Sequence, residues 1–420
     1  MGAVMEIERT MQMTQLSRTA LGELTTPALL LDATVLERNC EAMAQRAARH
    51  GVALRPHLKT SKSAEVARLA TRGHSGAITV STVAEADYFA RHGFLDITYA
   101  VGIAAGKIDA LHLVQRTHGA RITLLADRVE AVRAAAARAR TLGARFGLLV
   151  EIDTGGGRGG VAPDDEALLA VAREVQPSES LWLAGVLTHA GHSYHAAGLA
   201  AIRGIAEAER AGAVHAAARL RAAGFEVGTV SVGATPTAVC ADRLDGVTEM
   251  RPGVYTFFDL DQAARGICRI EDIALSVLAT VIGHNPRSRR VLIDAGALAL
   301  SKDESGAEFR DGLGFGLVCA AQGTTPLGGL RVAELHQEHG LVACEGDGKA
   351  GVQAMFDALP LGSRVRILPH HACMTAAPYD RYHVVRGNGT GVHAVWGKAQ
   401  GWHAATPSAL HDAATAAAAA

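Results

Sequence analysis

The chain has 420 residues, 41 basic against 42 acidic side chains, a net charge of −1, 49% apolar residues and only 4% aromatic ones. At about 100–200 residues per domain, that length holds two or three domains, although one large barrel absorbs much of it. The balanced charge and the few aromatics exclude nucleic acid and acidic membrane surfaces as expected partners. Residues 1–24 are mixed and polar and lack the apolar core of a secretory signal. No window holds about 18 consecutive apolar residues, so no membrane span is expected. The cysteines at 40, 240, 268, 319, 344 and 373 form no CxxC pair. That pattern reads as reduced thiols in a cytoplasmic protein.

From residue 26 short apolar runs alternate with longer amphipathic ones. TPALLLDA (26–33) reads as a strand, and Leu36, Cys40, Met43 and Ala47 then recur at helical spacing until Gly51. Further strands are read at 52–59, 77–81, 96–100, 121–126, 146–153, 181–190, 226–233 and 246–253. Helices at 61–73, 82–92, 105–118, 128–142, 164–175 and 198–223 fall between them. This alternation predicts parallel strands with right-handed crossovers, in the number and span of a (β/α)8 barrel over residues 25–265. A doubly wound open sheet is the rival, but no GxGxxG follows the first strand. Beyond residue 266, IALSVLATVIGHNP, RRVLIDAGALALS and HGLVACEGD are β-rich runs with no long helical pattern between them. They predict a mostly antiparallel β domain over 266–400, joined by residues 1–24. The alanine-rich segment 403–420 reads as a low-complexity tail.

In the run 52–59, Ala53, Arg55, His57 and Lys59 share one strand face. If that face lines the barrel, Lys59 sits at the C-terminal mouth, where barrels place their chemistry. A partly desolvated lysine near other cations is suited to Schiff-base formation. EIDTGGGRGG (151–160) puts glycines and Arg158 directly after a strand. THAGHSY (188–194) adds His189, His192 and Tyr194 at another strand end, SVGATPT (231–237) offers a small-residue anion cradle, and MRPGVY (250–255) supplies Arg251, Gly253 and Tyr255. In PHHAC (369–373), His371 and Cys373 are spaced i, i+2 in an expected strand and point the same way. Imidazole plus thiolate is a zinc-type pair, and two protein ligands leave open positions. The other five cysteines read as small core residues.

Taken together, TPALLLD with RPHLKTSK, HAGHSY, SVGATPT, DAGALALSKD (294–303), LHQEHG (335–340) and HHACMTAAPYDRYHVV resemble the fold-type III pyridoxal-phosphate enzymes. Within that group the resemblance is to the metal-dependent D-serine dehydratases and the related D-threonine aldolases, over about residues 26–397. It implies an alanine-racemase-type barrel with a C-terminal β domain. It implies that Lys59 carries the cofactor and that Gly233, Thr235, Gly253 and the Val254 backbone hold its phosphate. His57, Arg158, Arg251 and Tyr255 fall at further cofactor positions, and His189, His192 and Tyr194 line the substrate side. The resemblance makes His371 and Cys373 the metal pair, with zinc as the expected ion, and implies a homodimer.

The resemblance also implies α,β-elimination from a D-3-hydroxy amino acid, with D-serine giving pyruvate and ammonia as the expected reaction. An HxC pair matches the dehydratases, whereas HxD is usual in the aldolases. Retro-aldol cleavage of D-threonine or 3-hydroxy-D-aspartate is the nearest alternative, with His192 as base on the β-hydroxyl. Racemisation, with Tyr379 or Tyr382 as a second base, and a non-catalytic cofactor carrier are further alternatives.

Overall fold

A computed structural model describes residues 20–344, 349–387 and 389–402. The alanine-rich tail and residues 1–19 of the N-terminal segment lie outside the described residues. The chain divides into two compact units. One spans 40–255; the other combines the segment up to Asn39 with 256–398.

The first strand, β1 (Ala28–Asp32), leads into the helix Ala33–Arg49, within which the unit boundary falls. The strands β2 (Ala53–Leu54), β3 (Ile78–Val80), β4 (Asp96–Gly102), β5 (Arg121–Ala126), β6 (Phe146–Ile152), β7 (Leu181–Thr188), β8 (Thr229–Val232) and β9 (Glu249–Met250) form one parallel sheet, in the order β2-β9-β8-β7-β6-β5-β4-β3. Beyond β2 the chain stays extended to a bridge between His57 and Thr79, with Leu58 N–H donating to the Thr79 carbonyl at 2.9 Å. That bridge joins the two ends of the order, so the sheet closes into a barrel. Its strands are largely apolar and buried, as parallel strands covered by helices are, with Ser231 of β8 and Glu249 of β9 among the buried polar exceptions. Leu125, Leu149 and Leu187 form one packed layer. Local sequence sets the helix ends. The Thr82 hydroxyl caps Val83–Arg91 by accepting from Glu85 N–H, and Gly119 and Gly143 end their helices in the left-handed region at φ +73° and +63°. The barrel read from the sequence is therefore the fold of this unit.

The second unit is a nine-stranded sheet. Its later strands are β10 (Leu275–Asn285), β11 (Arg290–Ile293), β12 (Gly316–Ala320), β13 (Pro326–Leu335), β14 (Gly340–Ala343), β15 (Arg364–Pro369), β16 (Arg381–Val385) and β17 (Ala394–Gly397). The order is β11-β14-β13-β12-β15-β10-β1-β16-β17, and β11 also pairs with β10, so six antiparallel strands make a closed ring. Two expectations need correction. The strand at 26–33 does not open the barrel. Leu29 and Leu30 pair with Val277 and Ser276 of β10, and Leu30 also pairs with His383 of β16. A five-residue run buried on both faces fits either sheet, and only its pairing decides. The β unit also holds a ten-residue helix, Lys349–Ala358, that the sequence reading missed. Of the expected N-terminal join, Leu21 donates to the Thr390 carbonyl at 2.8 Å, and Leu21 and Leu24 pack with Leu30, Leu278 and Val385.

Candidate active site

The barrel unit carries a cavity of about 370 Å³ at the C-terminal strand ends. Lys59, His57 and Arg251 line it, with Arg158 and His189 from the loops after β6 and β7. Lys59 does line this cavity, but from the turn after the His57 bridge rather than from a strand running through 52–59, because β2 is only Ala53–Leu54. Ser81 and Glu151 also line the cavity and were not singled out from the sequence. Ser81 follows the end of β3, and Glu151 opens the EIDTGGGRGG run near the end of β6, so strand-end position was the available signal for both.

A chain of charges supports the wall from within. The Arg55 guanidinium donates from Nε to Glu249 at 2.7 Å and from Nη1 to Asp96 at 2.9 Å. Ser231 Oγ donates to Glu249 at 2.6 Å and accepts from Arg251 Nε at 2.6 Å. A second Arg251 nitrogen donates to the Thr188 carbonyl. Burial lowers the Arg251 pKa to about 10, while Glu249 and Glu209 oppose that fall. The guanidinium thus remains a fixed cation at neutral pH.

The two histidines of the wall are neutral. Burial, followed by the charges of Lys59 and Arg251, holds His57 well below its ordinary value. Burial likewise takes His189 down to about 3, against the opposing bond to Gly233. His189 Nδ1 lies 2.8 Å from the Gly233 carbonyl, which only accepts, so Nδ1 carries the proton.

The remaining expected residues fall into two groups. Thr235 opens the helix Thr235–Cys240, and its Oγ1 accepts from Tyr255 N–H at 3.2 Å. A side chain on Gly253 would put its Cβ 2.8 Å from the His57 carbonyl, so glycine is required there. Val254 starts the short turn Val254–Thr256 and is buried. Gly233, by contrast, donates its N–H to Glu209 at 3.0 Å, so this amide shapes the loop. His192 and Tyr194 lie in the turn Gly191–His195 and are not part of the cavity wall. His192 instead packs over the Gly155–Gly156 turn, whose amides are bonded to the Asp153 carboxylate.

The cavity fits a phosphate-bearing pyridine. Its wall is cationic, and one of its lining residues, His57, has a buried ring nitrogen, Nδ1, with no hydrogen-bond partner. Such orphans are costly unless a ligand satisfies them.

The His371–Cys373 pair lies in the β unit. These residues are not on one strand, as the sequence reading expected. β15 ends at Pro369, and His371 is the N-cap of the short helix Ala372–Ala376. The two side chains nevertheless meet through a hydrogen bond. His371 Nδ1 is 2.6 Å from Asp303, the carboxylate support that metal-ligating histidines usually have. Burial opposes protonation of His371, but Asp303 and Cys373, with Asp259 nearby, raise it to about 11. A site that attracts a proton so strongly also suits a cation. His370 takes a different role. It donates from Nδ1 to the Gly314 carbonyl and accepts Gly306 N–H at Nε2, both at 2.8 Å, and so pins the loop carrying Asp303. Asp259 holds the same turn by accepting from Ala372 N–H at 2.8 Å. Among the described residues no group of three or more His, Cys, Asp or Glu side chains is gathered for a metal. The His371 imidazole and the Cys373 thiol are, by their chemistry, donors of the zinc-binding type.

Comparison with known proteins agrees with both units. Residues 31–261 match the alanine racemase N-terminal domain, and residues 274–385 match a serine dehydratase domain. D-threo-3-hydroxyaspartate dehydratase of Delftia sp. (strain HT23) is 44% identical over 381 residues, covering 90% of this chain and 98% of that one. The chain belongs to this family of fold-type III pyridoxal-phosphate lyases. D-serine dehydratase of Dictyostelium discoideum is 30% identical over 389 residues, covering 88% of this chain and 95% of its own. A metal-free form of a cysteine-to-alanine variant of the Delftia enzyme superposes with a TM-score of 0.86 at 43% identity, covering 92% of this chain and all of that one. The family is thus pyridoxal-phosphate-dependent and metal-binding. Both tyrosines weighed for racemisation are placed within the β unit. Tyr382 is buried with its ring edge on Phe257, and Tyr379 donates to the Ala299 carbonyl. Neither Cys268 nor Cys344 is fully buried, which corrects the expectation of five core thiols.

Proposed function

We propose that this chain dehydrates a D-3-hydroxy amino acid by α,β-elimination, releasing a 2-oxo acid and ammonia. The observation that carries this reading is the paired His371 and Cys373, oriented by Asp303 in a chain that also sets Lys59 in a cationic barrel cavity. Pyridoxal phosphate, when bound, supplies the electron sink at Cα, and the metal, for which these donors favour zinc, supplies Lewis acidity toward the departing hydroxyl. Lys59 is the residue to hold the cofactor and to take the Cα proton on the face it occupies, which selects D over L. His57, Arg158, Arg251 and Tyr255 are the polar groups to receive the cofactor's ring and phosphate oxygens, beside the Thr235, Gly253 and Val254 loops. His371 Nε2 and the Cys373 thiolate are the metal donors.

Two substrates are in view. D-serine is the one expected from the sequence, and D-threo-3-hydroxyaspartate is the one suggested by the Delftia relative. The purified enzyme is incubated with each, and with D-threonine, before and after chelation. Oxo acid and ammonia that disappear on chelation and return with zinc support the reading. Glycine with acetaldehyde from D-threonine supports the aldolase reading instead. We also propose a cytoplasmic homodimer, tested by light scattering for twice the chain mass. No helix among the described residues is long and apolar enough to cross a membrane.

A further inference from the structure

The barrel wall has a support that does not itself line the cavity. Glu209 lies on the helix Gly198–Ala222, and its side chain is buried, with the residue only 2% exposed. One of its carboxylate oxygens, Oε1, accepts from two backbone amides. These are Ala190 N–H at 2.9 Å, in the loop after β7, and Gly233 N–H at 3.0 Å, in the loop after β8. The first loop carries His189 and the second precedes Thr235. The second loop also returns a bond to the first, because the Gly233 carbonyl accepts from His189 Nδ1 at 2.8 Å. Gly233 has no slack to find another position. It sits at φ +141°, and any side chain there would put its Cβ 2.6 Å from Arg251 N. A carboxylate that is buried to serve two loops, and that reaches neither substrate nor cofactor, is costly unless its acceptor geometry is needed.

We infer that Glu209 is a positioning residue for the cofactor site, fixing through Gly233 both the His189 ring and the loop that leads to Thr235. The bond order makes the role specific. Glu209 holds the Gly233 N–H, the Gly233 carbonyl on the other side of its Cα fixes the proton on His189 Nδ1, and His189 Nε2 is left as the unprotonated nitrogen. Thr237 also donates to Glu209, which ties the start of the following short helix to the same carboxylate. The inference rests on the reading that the cavity receives pyridoxal phosphate. It does not depend on which amino acid is the substrate.

The test uses the full chain and the cofactor dissociation constant, read from the absorbance of the lysine-bound cofactor. Glu209→Gln keeps an acceptor oxygen for both amides, Glu209→Met removes it at similar length, and Glu209→Asp keeps the charge but shortens the reach. His189→Phe removes the ring N–H. Relative to wild type, Glu209→Met and Glu209→Asp are expected to weaken cofactor binding at least about tenfold, while Glu209→Gln stays within about threefold. In the His189→Phe background, Glu209→Met is expected to cost clearly less than it does in the wild type, because one of its two routes, the His189 ring, is already cut. A full Glu209→Met effect in that background, or a Glu209→Gln as weak as Glu209→Met, would overturn the inference. If Glu209→Met does not fold, Glu209→Asp takes its place in the cycle. A wild-type chain that never binds the cofactor would instead refute the cavity reading itself.

Discussion

Single side chains set the chemistry at the barrel mouth. Among the described residues Lys59 is the only lysine lining the cavity, so Lys59→Ala is expected to abolish the absorbance of the lysine-bound cofactor and to lower kcat by at least about 10³-fold. His189 makes acid stability a residue-scale property. Its pKa is about 3 in the folded chain, whereas an unfolded histidine titrates near 6.5. Below about 6.5 the unfolded chain gains a proton that the folded chain refuses. Its contribution to stability is therefore complete above that value and is lost as the pH falls toward 3. Melting temperatures between pH 7.5 and 5 should fall less steeply in His189→Phe than in wild type. A parallel fall in both proteins would refute this. At this scale the sequence was partly legible. Lys59, His57, Arg158 and His189 stood at strand ends where a barrel presents side chains. Glu209 lay in the middle of an alanine-rich helix, where nothing in the spacing separates a buried carboxylate from a solvated one.

Elements fix where those residues go. Periodicity marked the strand–helix alternation well, because parallel strands are continuously apolar and their helices amphipathic. It failed where a strand gives way to a helix within a few residues. His371 and Cys373 looked like alternate residues of a strand, but the strand stops at Pro369 and the chain turns into a helix. The close approach of the Gly253 loop to β2's extension is an element-scale constraint with a sharp test. Gly253→Ala would bring a methyl to 2.8 Å from the His57 carbonyl, so the loop must move. We expect weaker cofactor retention, by about tenfold or more, with little loss of barrel helix content, read by cofactor titration and circular dichroism. The core of the β unit answers to a different position. Leu30 is fully buried between β10 and β16, so Leu30→Ala should cost about 2–5 kcal/mol of unfolding free energy in denaturant titrations.

At the scale of the whole molecule, the chain starts in one unit, builds the barrel and returns to finish the unit it began. Domain boundaries read along the sequence could not show this, because composition changes once, near residue 266, whereas the fold changes hands twice. A fragment of residues 256–398 lacks the strand between β10 and β16. It is expected to be unfolded or aggregated when expressed alone, and to recover β structure when residues 20–39 are supplied in trans. A soluble, folded fragment would refute the role given to β1. The same placement has a consequence for synthesis. Leu29, Leu30 and Leu31 leave the ribosome before their partners, which are about 250 residues later in β10 and about 350 later in β16. For most of translation this strand is an unpaired apolar edge, free to join the wrong sheet or another nascent chain. The β unit cannot close around β1 until β10 and β16 are made, so yield of active protein in the cell should rise with chaperone capacity.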